Sequence, residues 1–258
     1  MLKLSVSAID TYMKCPKKYQ YRYIIKPEVP QQKWNFTEFG SCAHRVLELF
    51  HERVSQNNPD PAEYPALMKA CFVDSVKEFD INILEEPVWT KNGDTPGILH
   101  LKQVIQSYLN KVREAPLPNV IGTEMSFYFD INDKAGMRGF IDRVDQLDDD
   151  TFKVVDYKTS KDPKYLSPFQ LLVYAKALRS KFGKVKKVLG SYVLLKHDCN
   201  TVDFEFTNQD IDECEKTLVK RANFIDTDEI WVKKPSTLCN WCDYKGICQD
   251  GWADQEDS

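Results

Sequence analysis

Two runs of alternating apolar and polar residues, separated by three consecutive aspartates, constrain the fold of this chain more than any other feature. The runs are Gly136–Leu147 and Phe152–Thr159, and Asp148–Asp150 lies between them. Alternation with a period of two is typical of β-strands, and a short polar segment between two such runs indicates a turn. The sequence therefore predicts an antiparallel hairpin whose turn centres near Asp149.

Charged residues interrupt the apolar faces of this hairpin. Asp156 and Lys158 share a face with Phe152, because strand side chains alternate between two faces. A turn centred near Asp149 places Asp142 directly opposite Asp156. Opposed residues have Cβ atoms about 4.5–5.5 Å apart, so two ionised carboxylates repel each other there unless a cation lies between them. The pattern predicts a divalent cation with oxygen ligands, such as Mg²⁺; an exposed strand with its charges in water is the alternative.

A cation held by two aspartates suits one kind of chemistry. It polarises a phosphoryl oxygen and lowers the pKa of a bound water. Lys158, beside it, could position that water and stabilise the charge that develops on the phosphate. The residues therefore indicate hydrolysis of a phosphodiester.

Three motifs in order resemble the PD-(D/E)XK nuclease superfamily and, more closely, its RecB-like exonuclease branch. They are Gly139-x-x-Asp142, Asp156-x-Lys158 and Gln170-x-x-x-Tyr174. The pattern is similar to that of CRISPR-adaptation exonucleases and of the nuclease domain of AddB-type recombination enzymes. The resemblance implies an α/β fold: a restriction-endonuclease-like core with a central mixed sheet flanked by helices. It also implies a single nuclease domain over residues 1–258, with a helical insertion at roughly 54–115.

The resemblance also implies roles for particular residues. The catalytic set is Asp142, Asp156, Lys158, Gln170 and Tyr174, and the Mg²⁺ or Mn²⁺ ligands are His44, Asp142, Asp156 and the backbone carbonyl of Tyr157. His44 follows a Gly-x-x-x-His pattern that begins at Gly40; without the resemblance, a histidine on an apolar helix face is usually a core residue. His51 is a weaker candidate. Glu124 matches an acidic position upstream, with a cross-strand ion pair as its alternative role.

Three of the eight cysteines are closely spaced near the end of the sequence. Cys239-x-x-Cys242 followed after five residues by Cys248 predicts a metal clamp that needs a fourth thiolate, and Cys15 is the natural candidate. Four thiolates suit a 4Fe–4S cluster or a structural Zn²⁺. The resemblance favours the iron–sulfur cluster, because RecB-like nucleases with such a cluster combine one early cysteine with three late ones. The other four are expected to be small buried side chains: Cys42, Cys71, Cys199 and Cys214.

Further helices and strands follow from periodicity and from turn residues. Helices are predicted at Ser7–Ile25 with a break at Pro16, around His44, at Ala62–Phe79, at Gly97–Glu114, around Gln170 and from Asn208 to about Ile225, with a loop at Pro87–Pro96. Besides the hairpin, strands are predicted near Asn119–Ile131, Val185–Lys196 and Thr201–Phe206. The acidic end, 254–258, is expected to fray.

The composition is consistent with an intracellular protein but does not by itself indicate a nucleic-acid partner. The chain is 42% hydrophobic and 29% charged, and it contains no apolar run long enough to span a membrane. The start of the sequence lacks the apolar stretch of a signal peptide, so a cytoplasmic, reducing compartment is expected. The net charge of −4 is not typical of a nucleic-acid binder, although basic residues cluster around Cys15 and after the Gln170 helix.

Together these features predict a metal-dependent DNA exonuclease with an iron–sulfur cluster, acting on single strands or DNA ends. The alternative is a non-catalytic or partner-dependent DNA-end-binding protein that works with recombination, repair or CRISPR-adaptation proteins. A structural Zn²⁺ protein with an unrelated hydrolase site is the third interpretation. The colour of the purified protein separates iron–sulfur from Zn²⁺.

Overall fold

The structure, a computed structural model, describes residues 1–30, 33–90, 93–159 and 166–248. Its helices are α1 (Val6–Lys14), α2 (Pro16–Tyr19), α3 (Asn35–Asn57), α4 (Tyr64–Val76), α5 (Ile81–Glu85), α6 (Gly97–Glu114), α7 (Phe169–Phe182) and α8 (Asn208–Asp226), with a π-helical segment at Gln20–Ile25 and 3₁₀ turns at Pro61–Glu63 and Thr237–Trp241. Its strands are β1 (Leu2–Leu4), β2 (Pro87–Thr90), β3 (Gly93–Pro96), β4 (Asn119–Asp130), β5 (Ala135–Gln146), β6 (Thr151–Lys158), β7 (Lys187–Leu194) and β8 (Asn200–Phe206). The acidic end, 254–258, lies outside the described residues.

The chain forms two compact units. Among the described residues, the first comprises 1–30, 128–139 and 215–248, and the second comprises 33–127 and 140–214 apart from the gaps given above. The predicted single nuclease domain, with an insertion at roughly 54–115, stays a prediction.

The second unit is built on a mixed sheet. The second half of β5 pairs antiparallel with β6, β6 pairs parallel with β7, and β7 pairs antiparallel with β8. The β5–β6 register aligns Arg143 with Val155 and Gln146 with Phe152. These pairs centre the turn on residue 149, which confirms the predicted hairpin.

Helices cover both faces of this sheet. Successive residues of β6 point to opposite faces, so each face has side chains that pack against a helix. On one face α7 packs on β6 and β7, and the Phe182 ring stacks on Phe152 at 5.0 Å between centroids. On the other face, Val155 and Tyr157 join a buried apolar cluster formed largely by α3, α4 and α6. The predicted α/β fold, a central mixed sheet flanked by helices, is confirmed.

The first unit pairs β1 parallel with Ala135–Met137 of β5. Ser5 caps α1 by accepting a hydrogen bond from the Ala8 amide at 3.1 Å. Pro16 begins α2, where its missing N–H costs no helical hydrogen bond. The predicted break in the first helix at this proline is confirmed.

One predicted loop is wrong. Residues Pro87–Thr90 and Gly93–Pro96 pair as antiparallel strands, β2 and β3, rather than forming a loop. Pro87 and Pro96 form the terminal pair of this ladder, where a missing backbone N–H interrupts no bond inside it. Elsewhere, α6 has the predicted bounds of Gly97–Glu114.

Among the described helices, none combines the length and apolar character that crossing a membrane requires.

Candidate metal centre and cysteine site

The two central carboxylates lie on neighbouring strands of the second unit. The β5–β6 register, carried one residue beyond Arg143 and Val155, puts Asp142 across from Asp156. Asp142 Oδ2 accepts a hydrogen bond from the Tyr157 amide at 2.8 Å. Burial raises the pKa of Asp142 well above its usual value, and repulsion from Asp156 adds to the shift. Without a cation, this pair therefore resists carrying two negative charges.

A histidine and a glutamate join Asp142 from two other elements. One ligand atom each of His44, Glu124 and Asp142 lie within 4.8 Å of one another, as a metal site requires. His44 lies on α3, and its Nδ1 is 3.3 Å from Asp142 Oδ2. Burial lowers the pKa of His44, which favours the neutral imidazole that binds metals. Asp156 lies beside this group, since its charge raises the pKa of Glu124 and of Asp142.

Glu124 reaches this group from an unusual backbone conformation. It lies in β4 with φ at 42°, in the left-handed region that residues other than glycine seldom adopt. Such a conformation costs about 1–3 kcal/mol and is frequent at functional sites. Burial, followed by repulsion from Glu48, raises the pKa of Glu124. The resemblance pointed to Glu124 by its position upstream of Asp142. The sequence does not indicate its left-handed backbone conformation.

Lys158 is held between a carboxylate and an amide. Its Nζ is 2.6 Å from Asp156 Oδ2 and donates to Gln170 Oε1 at 2.9 Å. Gln170 Nε2 donates to Asp156 Oδ1 at 2.7 Å and lies 2.7 Å from the Tyr174 hydroxyl. Gln170 and Tyr174 are four residues apart on α7, so both face the strand end. The structure thus brings together Asp156, Lys158, Gln170 and Tyr174.

An aromatic ring lies against the ammonium group of Lys158. Lys158 Nζ is 5.0 Å from the centroid of the Tyr192 ring, in cation–π geometry. The Tyr192 hydroxyl donates to the Ser167 carbonyl at 2.7 Å, which ties β7 to the segment before α7. Tyr192 could not be predicted from the sequence, because only the parallel pairing of β6 and β7 brings it beside Asp156.

A cavity of about 540 Å³ adjoins the candidate ligands. It is lined by His44, Glu124, Phe36, Arg45, Glu48 and Phe79, among others. A close approach of two segments forms part of its wall: a Cβ on Gly40 would lie 2.9 Å from Thr159 Oγ1. Glycine at position 40 therefore lets α3 approach the end of β6, one turn before His44.

The structure places His51 away from the group of His44, Glu124 and Asp142. His51 is fully buried, and its Nε2 lies 2.7 Å from the Tyr108 hydroxyl and 3.1 Å from Arg143 Nη1. Arg143, which also contacts Asp145, was not among the residues predicted from the sequence. Opposite charges two residues apart on one strand face were the available signal for a buried ion pair.

The four candidate cluster ligands lie in the first unit. Burial raises the pKa of the Cys248 thiol, and electrostatic contributions from Cys15, Cys242 and Cys239 act in the same direction. A cavity of about 290 Å³ is lined by Cys15, Cys239 and Cys242 together with Lys14, Lys18 and Lys234. A set of four cysteines has the donor chemistry that an iron–sulfur cluster or Zn²⁺ requires. The other four cysteines are all buried, as predicted: Cys42, Cys71, Cys199 and Cys214.

Comparison with known proteins decides the family. Residues 3–249 match the PD-(D/E)XK nuclease superfamily. The chain belongs to the PD-(D/E)XK nuclease superfamily. Nucleases of this superfamily use divalent metal ions, in keeping with the candidate site formed by His44, Glu124 and Asp142.

Curated relatives of this superfamily member are much longer proteins. It is 27% identical over 194 residues to an ATP-dependent helicase/deoxyribonuclease subunit of Streptococcus pyogenes serotype M3, an alignment that covers 69% of this chain and 16% of the relative. It is 26% identical over 205 residues to the protein of the same name from Clostridium tetani, covering 69% of this chain and 18% of the relative. The alignments thus span less than a fifth of these relatives.

The structural alignment with a solved structure covers nearly the whole chain. A candidate exonuclease from Eubacterium rectale covers 93% of this chain and 92% of its own, with a TM-score of 0.46 and 12% identity. Similarity at this level adds nothing to the family assignment.

Proposed function

We propose that this chain is a divalent-metal-dependent deoxyribonuclease that degrades DNA from ends, with single-stranded DNA as its preferred substrate. The observation that carries the proposal is the convergence of His44, Glu124 and Asp142 beside the Asp156–Lys158 pair. The superfamily assignment supports nuclease chemistry. The names of the curated relatives support DNA as the substrate.

The proposed ligands of Mg²⁺ or Mn²⁺ are His44, Asp142, Asp156 and the Tyr157 carbonyl, with Glu124 as a further carboxylate. When bound, the cation supplies polarisation of a phosphoryl oxygen and lowers the pKa of a bound water. The raised pKa of Asp142 supports this assignment, because a cation removes the repulsion between Asp142 and Asp156.

Residues of the chain orient the catalytic side chains and stabilise charge on the substrate. Lys158 donates hydrogen bonds toward the reacting phosphate and stabilises the negative charge that develops on it. Gln170 holds Asp156 and Lys158 at once through its two amide atoms. Burial raises the pKa of Tyr174, so its hydroxyl keeps its proton and can donate to Asp156, 3.5 Å away. These contacts keep Asp156 and Lys158 in a fixed arrangement.

We propose that Cys15, Cys239, Cys242 and Cys248 bind a 4Fe–4S cluster that stabilises the first unit. Cluster binding would offset the repulsion among the four thiolates, and a metal site of this kind contributes to folding. A reducing, cytoplasmic location fits thiolate ligands and eight cysteines without disulfides. Visible absorbance and iron content test the cluster, and a colourless protein that contains zinc would contradict it.

A gel assay with end-labelled oligonucleotides tests the proposed activity. Linear single-stranded, linear double-stranded and circular single-stranded DNA are each incubated with Mg²⁺, Mn²⁺ or EDTA. We expect stepwise loss of linear single strands with metal and little attack on circles. Asp156→Ala should abolish cleavage, and Asp149→Ala, which removes an exposed aspartate from the hairpin turn, should leave it intact. Full activity of Asp156→Ala would refute the assignment.

A partner-dependent DNA-end binder is the second candidate. The relatives are named as subunits, and the alignments span only 16–18% of their length, which favours a chain that works with other proteins. DNA binding without cleavage by the purified chain, in the presence of both metals, would support this candidate. Recombination, repair and CRISPR-adaptation proteins are the partners to test.

A further inference from the structure

A buried ion pair lies in the second unit at the strand that carries Asp142. Arg143 and Asp145 follow Asp142 on β5 and share one face, and they are 8% and 0% exposed. Arg143 Nη2 donates to Asp145 Oδ2 at 3.0 Å, and its Nε lies 2.9 Å from Asp145 Oδ1. A buried ion pair of this kind seldom adds stability over apolar residues of similar volume. Its presence beside a proposed metal ligand therefore calls for another explanation.

The remaining guanidinium nitrogen joins three other elements. Arg143 Nη1 donates to the Tyr108 hydroxyl of α6 at 2.8 Å and to the Tyr157 hydroxyl of β6 at 3.1 Å, and it lies 3.1 Å from His51 Nε2 of α3. The two tyrosine hydroxyls are 3.0 Å apart. Burial, followed by the Arg143 charge, lowers the pKa of His51 well below its usual value, and burial raises the pKa of Tyr157. Around the ion pair, the partners of Arg143 are thus neutral groups with defined hydrogen bonds.

Tyr157 connects this network to two of the proposed metal ligands, Asp142 and His44. Its amide donates to Asp142 Oδ2 at 2.8 Å. The Tyr157 and His44 rings meet edge to face at 5.9 Å between centroids. One residue thus has its hydroxyl fixed in the buried network, its amide bonded to Asp142 and its ring against His44.

We propose that Arg143 is a positioning residue for the metal site. Together with Tyr108 and His51, it fixes the Tyr157 side chain. The Tyr157 peptide is thereby held where Asp142 and His44 can bind a divalent cation. The inference rests on the proposed metal-dependent function. Groups that orient metal ligands in this way contribute roughly 10–100-fold to metal affinity.

Mn²⁺ binding without DNA, measured by isothermal titration calorimetry, tests the inference separately from catalysis. Tyr157→Phe removes the hydroxyl but keeps the ring and the peptide. Tyr108→Phe removes a hydroxyl from the same network and leaves every proposed ligand residue unsubstituted. We expect the Kd for Mn²⁺ to rise about ten-fold in Tyr157→Phe and several-fold in Tyr108→Phe. Circular dichroism melting checks that both variants fold.

Leu101→Ala is the matched control. Leu101 is fully buried on α6, two helical turns from Tyr108, so its loss lowers stability without removing a polar contact. We expect a lower Tm and an Mn²⁺ affinity within two-fold of the wild type. An unchanged Kd in either tyrosine variant, or an equal loss of affinity in Leu101→Ala, overturns the inference and leaves the proposed function standing. A wild-type chain that binds no Mn²⁺ overturns the proposed function and the inference with it.

Discussion

Gln170 Nε2 donates a 2.7 Å hydrogen bond to Asp156 Oδ1, while Gln170 Oε1 accepts one from Lys158 Nζ at 2.9 Å. A single amide group on α7 thus bridges both charged residues at the end of β6. Because Asp156 Oδ2 also lies 2.6 Å from Lys158 Nζ, the three side chains form a closed ring of contacts. Their geometry depends on each member, which makes the ring testable by substitution.

Replacing Gln170 with alanine should lower the rate of DNA cleavage about 10–100-fold, because Asp156 and Lys158 each lose an orienting partner. Tyr174→Phe should have a smaller effect, since its hydroxyl is 3.5 Å from Asp156. Single-turnover kinetics measure both. The double variant should lose less than the product of the two separate effects, because the residues belong to one network. Strict additivity would contradict the shared role.

Lys158→Met should reduce kcat by about 10²–10³-fold, because a methionine of similar length cannot stabilise charge on the phosphate. DNA affinity should change only a few-fold, as measured by fluorescence anisotropy in Ca²⁺. The control is Lys187→Met, which removes a lysine that pairs with Glu205 at 2.8 Å on the same sheet. Near-normal cleavage by Lys158→Met would exclude Lys158 from the reaction.

Asp142→Asn should make the metal-free protein more stable and abolish its stabilisation by Mn²⁺. The folded-state pKa of Asp142 lies well above the usual value, so its contribution to stability is complete below about pH 4 and is lost as pH rises through the folded pKa. At pH 7 the wild type carries this penalty and Asp142→Asn does not. Melting curves in EDTA and in Mn²⁺, between pH 4 and 8, check both effects. A lower Tm of the variant in EDTA at pH 7 would contradict the repulsion between Asp142 and Asp156.

Gly40→Ala should weaken Mn²⁺ binding and cost about 1–3 kcal/mol of stability, because the new Cβ would lie 2.9 Å from Thr159 Oγ1. The displaced helix is α3, which carries His44 one turn later. Adding Thr159→Ala removes the clashing oxygen and should recover most of both losses. Denaturant unfolding and metal titration of the single and double variants measure the coupling. No recovery in the double variant would show that the clash is not the cause.

Cys239→Ser should remove the visible absorbance and most of the bound iron, and should lower Tm by about 5 °C or more. Cys71→Ala is the control, because Cys71 is buried in the second unit and belongs to no proposed ligand set. Iron quantitation after anaerobic purification gives the readout. Equal iron content in Cys239→Ser and wild type would exclude Cys239 as a ligand.

The hairpin of β5 and β6 could be predicted from sequence because its information is local. Alternation assigns faces, and the aspartates between the strands set the turn, so the register that aligns Arg143 with Val155 follows from a few neighbouring residues. The resemblance pointed to Gln170 and Tyr174, and their spacing of four is consistent with one face of a helix. The β2–β3 hairpin was not predicted, because its terminal prolines resemble loop residues when their pairing is unknown.

The network around Arg143 shows what sequence patterns do not contain. His51, Tyr108 and Tyr157 come from three elements separated by tens of residues, and each in isolation resembles an ordinary core residue. The left-handed conformation of Glu124 is equally invisible in sequence, because glutamate has no preference for it.

Local sequence patterns were enough to predict the β5–β6 hairpin, the opposition of Asp142 and Asp156, and the resemblance to a nuclease superfamily, because periodicity and short motifs are properties of adjacent residues. The meeting of His44 and Glu124 with Asp142, and the buried arginine behind Tyr157, emerged from the folded chain alone. Those contacts join residues far apart in the chain, and their distances depend on how helices pack against the sheet.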